Sequence, residues 1–135
     1  LGIETVVHMA ARERTLEAVR ERIIEIEKIT KGHSNILFMT GDYPRNKEDV
    51  LFPTDSIQNS MLAQELNIQG HNIFSGGVIN ATAAEEGREP DERTGAMKFA
   101  KKVEAGAEYL ITQIVFDADK LKKWMDVLKE ILEER

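Results

Sequence analysis

The chain lacks cysteine, long apolar runs and an excess of positive charge, and each absence excludes a class of protein. Without cysteine, it can form neither disulfides nor cysteine-ligated zinc or iron–sulfur centres, and this composition is compatible with a reducing compartment. No segment approaches the ~18 consecutive apolar residues that a membrane-spanning helix needs. The formal net charge of −6 argues against a general nucleic-acid binder, which usually carries a basic stripe. We therefore expect a cytoplasmic protein with no membrane or nucleic-acid partner.

Four short apolar segments each end at a glycine, an acid or an amide, and a helix-like segment follows each one. The four segments cover residues 6–8, 36–42, 73–77 and 111–117. Their spacing leaves room for one helix between successive strands, which predicts that the strands are parallel. Because the carboxyl ends of parallel strands share one edge of the sheet, the polar residues at these ends are predicted to build the functional site.

The number of units predicts part of a barrel. A (β/α)8 barrel of the TIM type runs to about 250 residues, whereas this chain of 135 residues holds about four β/α units. The chain starts at Leu1, with no initiator methionine or signal peptide. We therefore expect one partial-barrel domain over residues 1–135, cut from something longer. Half a barrel has two unpaired edges and an uncovered inner face, which predicts a homo-oligomer or pairing with the remainder of the barrel.

Helix signals follow each predicted strand. The expected helices run from Thr15 to Gly32, from Asp55 to before Gly70, from about Ala96 to Ala105, and onward from Asp119. Residues 80–94 form a long polar, mainly acidic stretch, which we expect to be either a functional lid or an insertion.

Two glycine-containing strand ends are candidate ligand contacts. Thr40, Gly41 and Asp42 combine a residue that lets a ligand approach the backbone with an acid at the rim, although a left-handed turn with a capping aspartate is an equal alternative. Gly76 and Gly77 leave room at the rim for a flat ring system, and a tight bulge explains the pair equally well.

Other polar residues have a functional and a structural interpretation. The amide of Gln113 suits a heterocycle with mixed donors and acceptors, but a structural glutamine is the alternative. His8 is either a ligand contact at the rim or a buried structural histidine. Lys101 and Lys102 are either solvated or bind a pyrophosphate. No metal site is predicted.

Six motifs in a fixed order resemble a known family. They are residues 7–14 (VHMAARER), 37–44 (LFMTGDYP), 54–56 (TDS), 76–80 (GGVIN), 102–107 (KVEAGA) and 111–117 (ITQIVFD). Each motif alone is weak, but their order and spacing resemble the methylenetetrahydrofolate reductase family. The resemblance covers nearly the whole chain and corresponds to roughly the third to sixth strand units of that family's flavin-bearing barrel.

The resemblance implies an oxidoreductase of one-carbon metabolism and methionine biosynthesis. Such an enzyme reduces 5,10-methylenetetrahydrofolate to 5-methyltetrahydrofolate through FAD, with FMN possible in a divergent member, and takes electrons from NADH or NADPH. The family's general acid is a glutamate on the first barrel strand, so we expect these residues to be inactive alone. The alternatives are a non-catalytic folate-binding or methyl-transfer accessory module, and a structural half-barrel that needs a partner chain.

The resemblance also implies residue roles. Asp42 and Gln113 correspond to the catalytic and substrate-binding positions, with Asp42 beside the flavin and the pterin, and Gln113 bonded to the folate. The remaining positions implied to contact the cofactor are His8, Thr40, Gly41, Phe52, Pro53, Gly76, Lys101 and Lys102. Of these, Lys102 and Lys101 are implied to meet the FAD phosphates, while Phe52 and Pro53 pack as a loop against the cofactor.

Overall fold

A computed structural model describes residues 4–41, 51–83, 87 and 91–134. Within these residues, strands and helices alternate four times along the chain. The elements are β1 (Val6–Ala10), α1 (Leu16–Thr30), β2 (Ser34–Met39), α2 (Ser56–Ile68), β3 (Ile73–Ile79), α3 (Glu92–Glu104), β4 (Tyr109–Thr112) and α4 (Ala118–Glu133). The strands form one sheet in the order β1-β2-β3-β4, and each neighbouring pair is parallel. The predicted class, a TIM-type fold with about four β/α units, is confirmed.

The register aligns the strands into rows across the sheet. His8 pairs with Leu37, Leu37 with Gly76, and Gly76 with Tyr109. Alternate residues of each strand point to opposite faces, so this row lies on one face of the sheet. All four carboxyl ends meet at one edge, as the sequence predicted.

Helices cover the other face of the sheet. The first core cluster joins α1 and α2 to the first three strands through side chains that include Ile23, Ile36, Phe38, Leu66 and Ile73. The second cluster joins α3 and α4 to the end of β3 through Ile79, Phe99, Ala100, Trp124 and Leu128. Phe99 and Trp124 meet edge to face, with ring centroids 5.0 Å apart. No helix among the described residues is long and apolar enough to cross a membrane.

We call the face that carries His8, Leu37, Gly76 and Tyr109 the open face. Apolar side chains on it remain exposed, with 43% of Phe74 and 40% of Ile111 accessible to solvent. Tyr109 stacks on Phe74 at a centroid distance of 5.1 Å. These residues are the apolar surface that an uncovered inner face of a barrel would present.

Two helices begin earlier than the sequence suggested. α3 starts at Glu92 rather than near Ala96, because the Asp91 side chain caps it by accepting the backbone N–H of Thr94 at 2.6 Å. α4 starts at Ala118, where Asp117 is the cap. The end of the polar 80–94 stretch is therefore helical, while its residues 84–86 and 88–90 lie outside the described residues.

All four predicted strand ends are wrong: β2 stops at Met39 and β4 at Thr112, short of the predicted residues 42 and 117, whereas β3 and β1 run on. β3 continues to Ile79, so Gly76 and Gly77 lie inside the strand and not at its rim. Both glycines keep regular pairing with β4, which excludes the bulge that was the alternative. β1 likewise continues to Ala10, so His8 is its third residue, and its side chain is exposed on the open face.

Glu27, near the end of α1, holds the loop that precedes β3. One carboxylate oxygen pairs with Nδ1 of His71, and the other accepts the backbone N–H of Asn72 at 2.9 Å. The Glu27 side chain is only 19% exposed. The hydrogen bond from His71, and then that from the Asn72 backbone, lower the pKa of Glu27. A carboxylate with a lowered folded-state pKa stabilises the fold above its unfolded pKa, and this contribution is lost as pH falls through the folded pKa.

We expect Glu27→Gln to lower the free energy of unfolding at pH 7 by about 1–2 kcal/mol, because it removes the negative charge that strengthens the hydrogen bonds from His71 and Asn72. The difference from wild type should shrink as pH falls from the unfolded pKa of about 4.3 through the lower folded-state pKa, where the wild-type carboxylate is protonated as well. Urea unfolding at pH 7 and in acid measures both effects. Glu25→Gln on the same helix is the control, because Glu25 pairs with Arg22 at the surface and should cost under ~0.5 kcal/mol. Equal losses in both variants would contradict the assigned role of Glu27.

Candidate functional site

A cleft of about 640 Å³ lies at the carboxyl edge of β2 and β3. Its volume is in the range of small-molecule sites, roughly 300–1,000 Å³. Six residues singled out from the sequence line it, namely Thr40, Gly41, Asp55, Lys101, Lys102 and Gln113. The parallel strands thus bring together residues that are up to 73 positions apart in the sequence, from Thr40 to Gln113.

The end of β2 is shaped by Gly41. Its φ of +96° is a left-handed conformation that side-chain-bearing residues rarely adopt. A Cβ at this position would lie 3.5 Å from Cβ of Arg12 and 3.6 Å from Cβ of Ala10. The backbone at this point therefore lines the cleft without a side chain of its own.

Thr40 ties the end of β2 to the start of α2. Its Oγ1 accepts the backbone N–H of Ser56 at 3.4 Å and donates to Oγ of Ser56 at the same distance. Asp55 caps α2 by accepting the backbone N–H of Gln58 at 2.8 Å, and Gln58 reaches back to the Asp55 N–H. This capping box holds the amino end of α2, with its partial positive charge, at the cleft.

Lys102 reaches the cleft from near the carboxyl end of α3. Helical side chains lean toward the amino end of their helix, and in α3 this direction carries the Lys102 ammonium to the carboxyl end of β3. There Nζ donates to the backbone carbonyl of Val78 at 2.8 Å and lies 5.0 Å from the centroid of the Phe99 ring. Burial lowers the pKa of Lys102, and the charge of Asp55 partly opposes this by raising it.

Gln113 lies just after β4, where its backbone N–H donates to the carbonyl of Ile79 at 2.8 Å. Its side chain is exposed and lines both the main cleft and a second cleft of about 430 Å³ beside it. Asn80 lines both clefts as well, and its Oδ1 accepts hydrogen bonds from Thr82. The side-chain amides of Asn80 and Gln113 therefore lie where the two clefts adjoin.

The remaining candidates lie elsewhere. Gly76 lies beneath the Tyr109 ring, which occupies the space where a Cβ would project, and His8 is exposed on the open face. Phe52 and Pro53 precede α2 and are not among the described residues that line the cleft. Asp42, the acid expected at the centre of the site, falls outside the described residues.

Sequence reasoning missed several lining residues, including Ser56, Asn80, Lys98 and Phe99. Asn80 is the first residue after β3, so a correct strand end would have placed it at the rim. Phe99 precedes Lys102 by three residues, the spacing at which helical side chains share a face. Within the described chain, no group of three or more histidine, aspartate or glutamate side chains is placed to hold a metal ion.

Comparison with known proteins gives two matches. A family model described as methylenetetrahydrofolate reductase matches residues 1–134. A curated protein from Oryza sativa subsp. japonica, named probable methylenetetrahydrofolate reductase (NADH), is 23% identical over 138 residues, which cover 96% of this chain. The chain spans 23% of the length of that relative.

We expect Asp55→Asn to lower the pKa of Lys102 further while leaving α2 capped, because asparagine caps as well as aspartate but carries no charge. Lysine side-chain NMR, with labelled Cε and Nζ, measures this titration directly. Asp55→Ala should lower the Lys102 pKa similarly and also cost about 1 kcal/mol of stability through loss of the cap. An unchanged Lys102 titration in Asp55→Asn would show that the two charges do not interact.

Proposed function

Because the chain belongs to the methylenetetrahydrofolate reductase family, we propose that it forms the flavin- and folate-binding part of a barrel that reduces 5,10-methylenetetrahydrofolate to 5-methyltetrahydrofolate. Its four β/α units correspond to roughly the third to sixth units of that barrel. The proposed setting is methionine biosynthesis in the cytoplasm, with NADH or NADPH as the electron donor.

One observation carries the proposal, namely the convergence of Gly41, Lys102 and Gln113 on one cleft. These residues come from three different β/α units and offer a bare backbone, a cation and an amide. A flavin nucleotide needs these three features, because it has a flat ring, phosphates and a ring edge with mixed donors and acceptors.

The donors of the cleft fit the phosphates of FAD, and equally the single phosphate of FMN. The Lys102 ammonium is held at the cleft and has two further N–H donors besides the one that Val78 accepts. Lys101 and the amino end of α2 line the same cleft and add positive potential. When bound, the flavin supplies the hydride chemistry, while these residues bind and orient it.

Substrate binding is assigned to the amide side of the cleft. The exposed Gln113 side chain can donate to and accept from the pterin edge, and Asn80 borders the same space. Through the family resemblance, Asp42 is proposed to complete this site as the acid beside the flavin and pterin. The general acid that protonates the folate nitrogen is proposed to come from another strand, so these residues alone are not expected to turn over substrate.

The rest of the site must come from further chain. The open face leaves apolar side chains such as Phe74 and Ile111 exposed, and β1 and β4 each pair with one strand in the described sheet. We propose that the remainder of the barrel, or a second copy, covers this face and pairs with these edges.

We expect the intact protein to be yellow, with a flavin absorbance band that is lost on adding NADH or NADPH and recovered on adding 5,10-methylenetetrahydrofolate. Gln113→Ala should raise KM for the folate about two- to tenfold, the value of one neutral hydrogen bond, while flavin content is unchanged. Gln69→Ala is the matched control, because Gln69 lies at the far end of α2 and bonds only to Glu65 through its side chain in the described chain.

Two results would overturn this proposal. A colourless protein that does not bind added FAD or FMN removes the flavin role. A protein that binds the folate but no flavin is a folate-binding module without hydride transfer.

We expect a species larger than the 15.3 kDa chain, because the open face and both sheet edges need a cover. Size-exclusion chromatography with light scattering and intact mass measures this, and deuterium exchange of the β1 and β4 amides tests whether the edges are paired. A monomer of the chain mass with fast-exchanging edge amides would refute the proposed cover.

A further inference from the structure

Gly77 has a different neighbour from Gly76, because adjacent strand residues face opposite sides of the sheet. A Cβ at Gly77 would lie 3.2 Å from Cδ and 3.9 Å from Cβ of Lys102, and 3.3 Å from Cδ2 of Leu110. The stem of Lys102 therefore lies directly over Gly77, on the helix-covered face. The ammonium emerges one residue further along β3, at the carbonyl of Val78.

We propose that Gly77 is a positioning residue for the cleft, in that its missing side chain opens the path along which Lys102 reaches the carboxyl edge of β3. The inference rests on the proposed function only in taking the phosphate of a flavin nucleotide as the anion that Lys102 binds. The placement of Lys102 itself is independent of that ligand.

Three groups border the path of the Lys102 side chain. Gly77 forms its floor, the Leu110 side chain lies on one side, and the Phe99 ring lies below the ammonium. A Cβ placed at residue 77 would meet Lys102 and Leu110 at 3.2–3.3 Å, which is tighter than ordinary van der Waals contact. A methyl at residue 77 requires Lys102 to shift by a few tenths of an ångström, and the branched side chain of valine fills the path and displaces it.

Among the described residues, no acid forms an ion pair that would hold Lys102 without this path. No salt bridge to Lys102 occurs in the described chain, and Asp55, the acid that interacts with it electrostatically, is engaged as the cap of α2. The other charged groups of the described cleft are Lys98 and Lys101, on the same helix, which repel the ammonium. Within the part of the chain that the structure describes, its position is set by the carbonyl of Val78, the Phe99 ring and the gap at Gly77.

A double-mutant cycle on the intact protein tests the inference, with flavin fluorescence as the readout and FAD and riboflavin as the two probes. Gly77→Val should weaken FAD binding about tenfold or more, as expected for loss of a charge-assisted hydrogen bond. Binding of riboflavin, which has no phosphate, should change less than about threefold. In a Lys102→Met background, Gly77→Val should have little further effect on FAD, because the two changes remove the same interaction.

Ser75→Ala controls for lost stability. Ser75 lies on the same face of β3 and donates to the carbonyl of Gly106, so its loss weakens the fold without touching Lys102. This variant should keep the wild-type ratio of FAD to riboflavin affinity. Gly77→Ala gives a milder form of the same change, should Gly77→Val fail to fold.

Lysine side-chain NMR without any flavin gives a readout that does not depend on the proposed function. The pKa of Lys102 should be lower in wild type than in the Gly77 variants, because displacement from the path exposes the ammonium to water. An unchanged Lys102 titration, or additive losses in the cycle, would overturn the inference. If wild type binds neither flavin, the proposed function fails, and the NMR titration still decides the role of Gly77.

Discussion

The parallel pairing of the four strands is the constraint on which the candidate site depends. It places all four carboxyl ends at one edge, so that Thr40 and Gln113 line one cleft although two β/α units separate them. The helices then fix what reaches that edge. α2 begins there, held by Thr40 and by its own capping box, whereas α3 contributes a long side chain that extends back along the sheet. Each contribution follows from element direction, since the helices run antiparallel to the strands they cover.

The two adjacent glycines show how one strand serves both faces of the sheet. On the open face, the Tyr109 ring packs directly against Gly76, and the tyrosine hydroxyl donates to Oδ1 of Asn35. On the covered face, the aliphatic part of the Lys102 side chain packs against Gly77. A glycine in a strand costs stability because it packs nothing itself, and in β3 this cost is offset by two large side chains that take up the space. The pair thus leaves room for a ring on the open face and for a lysine stem on the covered face.

The fold was largely predictable from sequence, and the site only in part. Thr15 and Asp55 were expected to mark the starts of two helices because start signals are local, and the structure has them as the N-caps of α1 and α2. The end of β3 was missed because glycine has low strand propensity, and the reason for Gly76 and Gly77 lies in Tyr109 and Lys102, which are distant in sequence. That error also hid Asn80. The residues that line the cleft from α3 depend on helix rotation against the sheet, which tertiary packing decides.

The contact between Lys102 and the Val78 carbonyl has a thermodynamic consequence. An anion that binds there can accept from the two N–H groups that the Val78 carbonyl does not use, and it restores charge stabilisation to an ammonium whose pKa burial has lowered. At a pH where part of the lysine population is neutral, binding would therefore take up protons from the buffer. The heat of association would then vary with the ionisation enthalpy of that buffer, and the slope of this dependence would count the protons that the lysine gains.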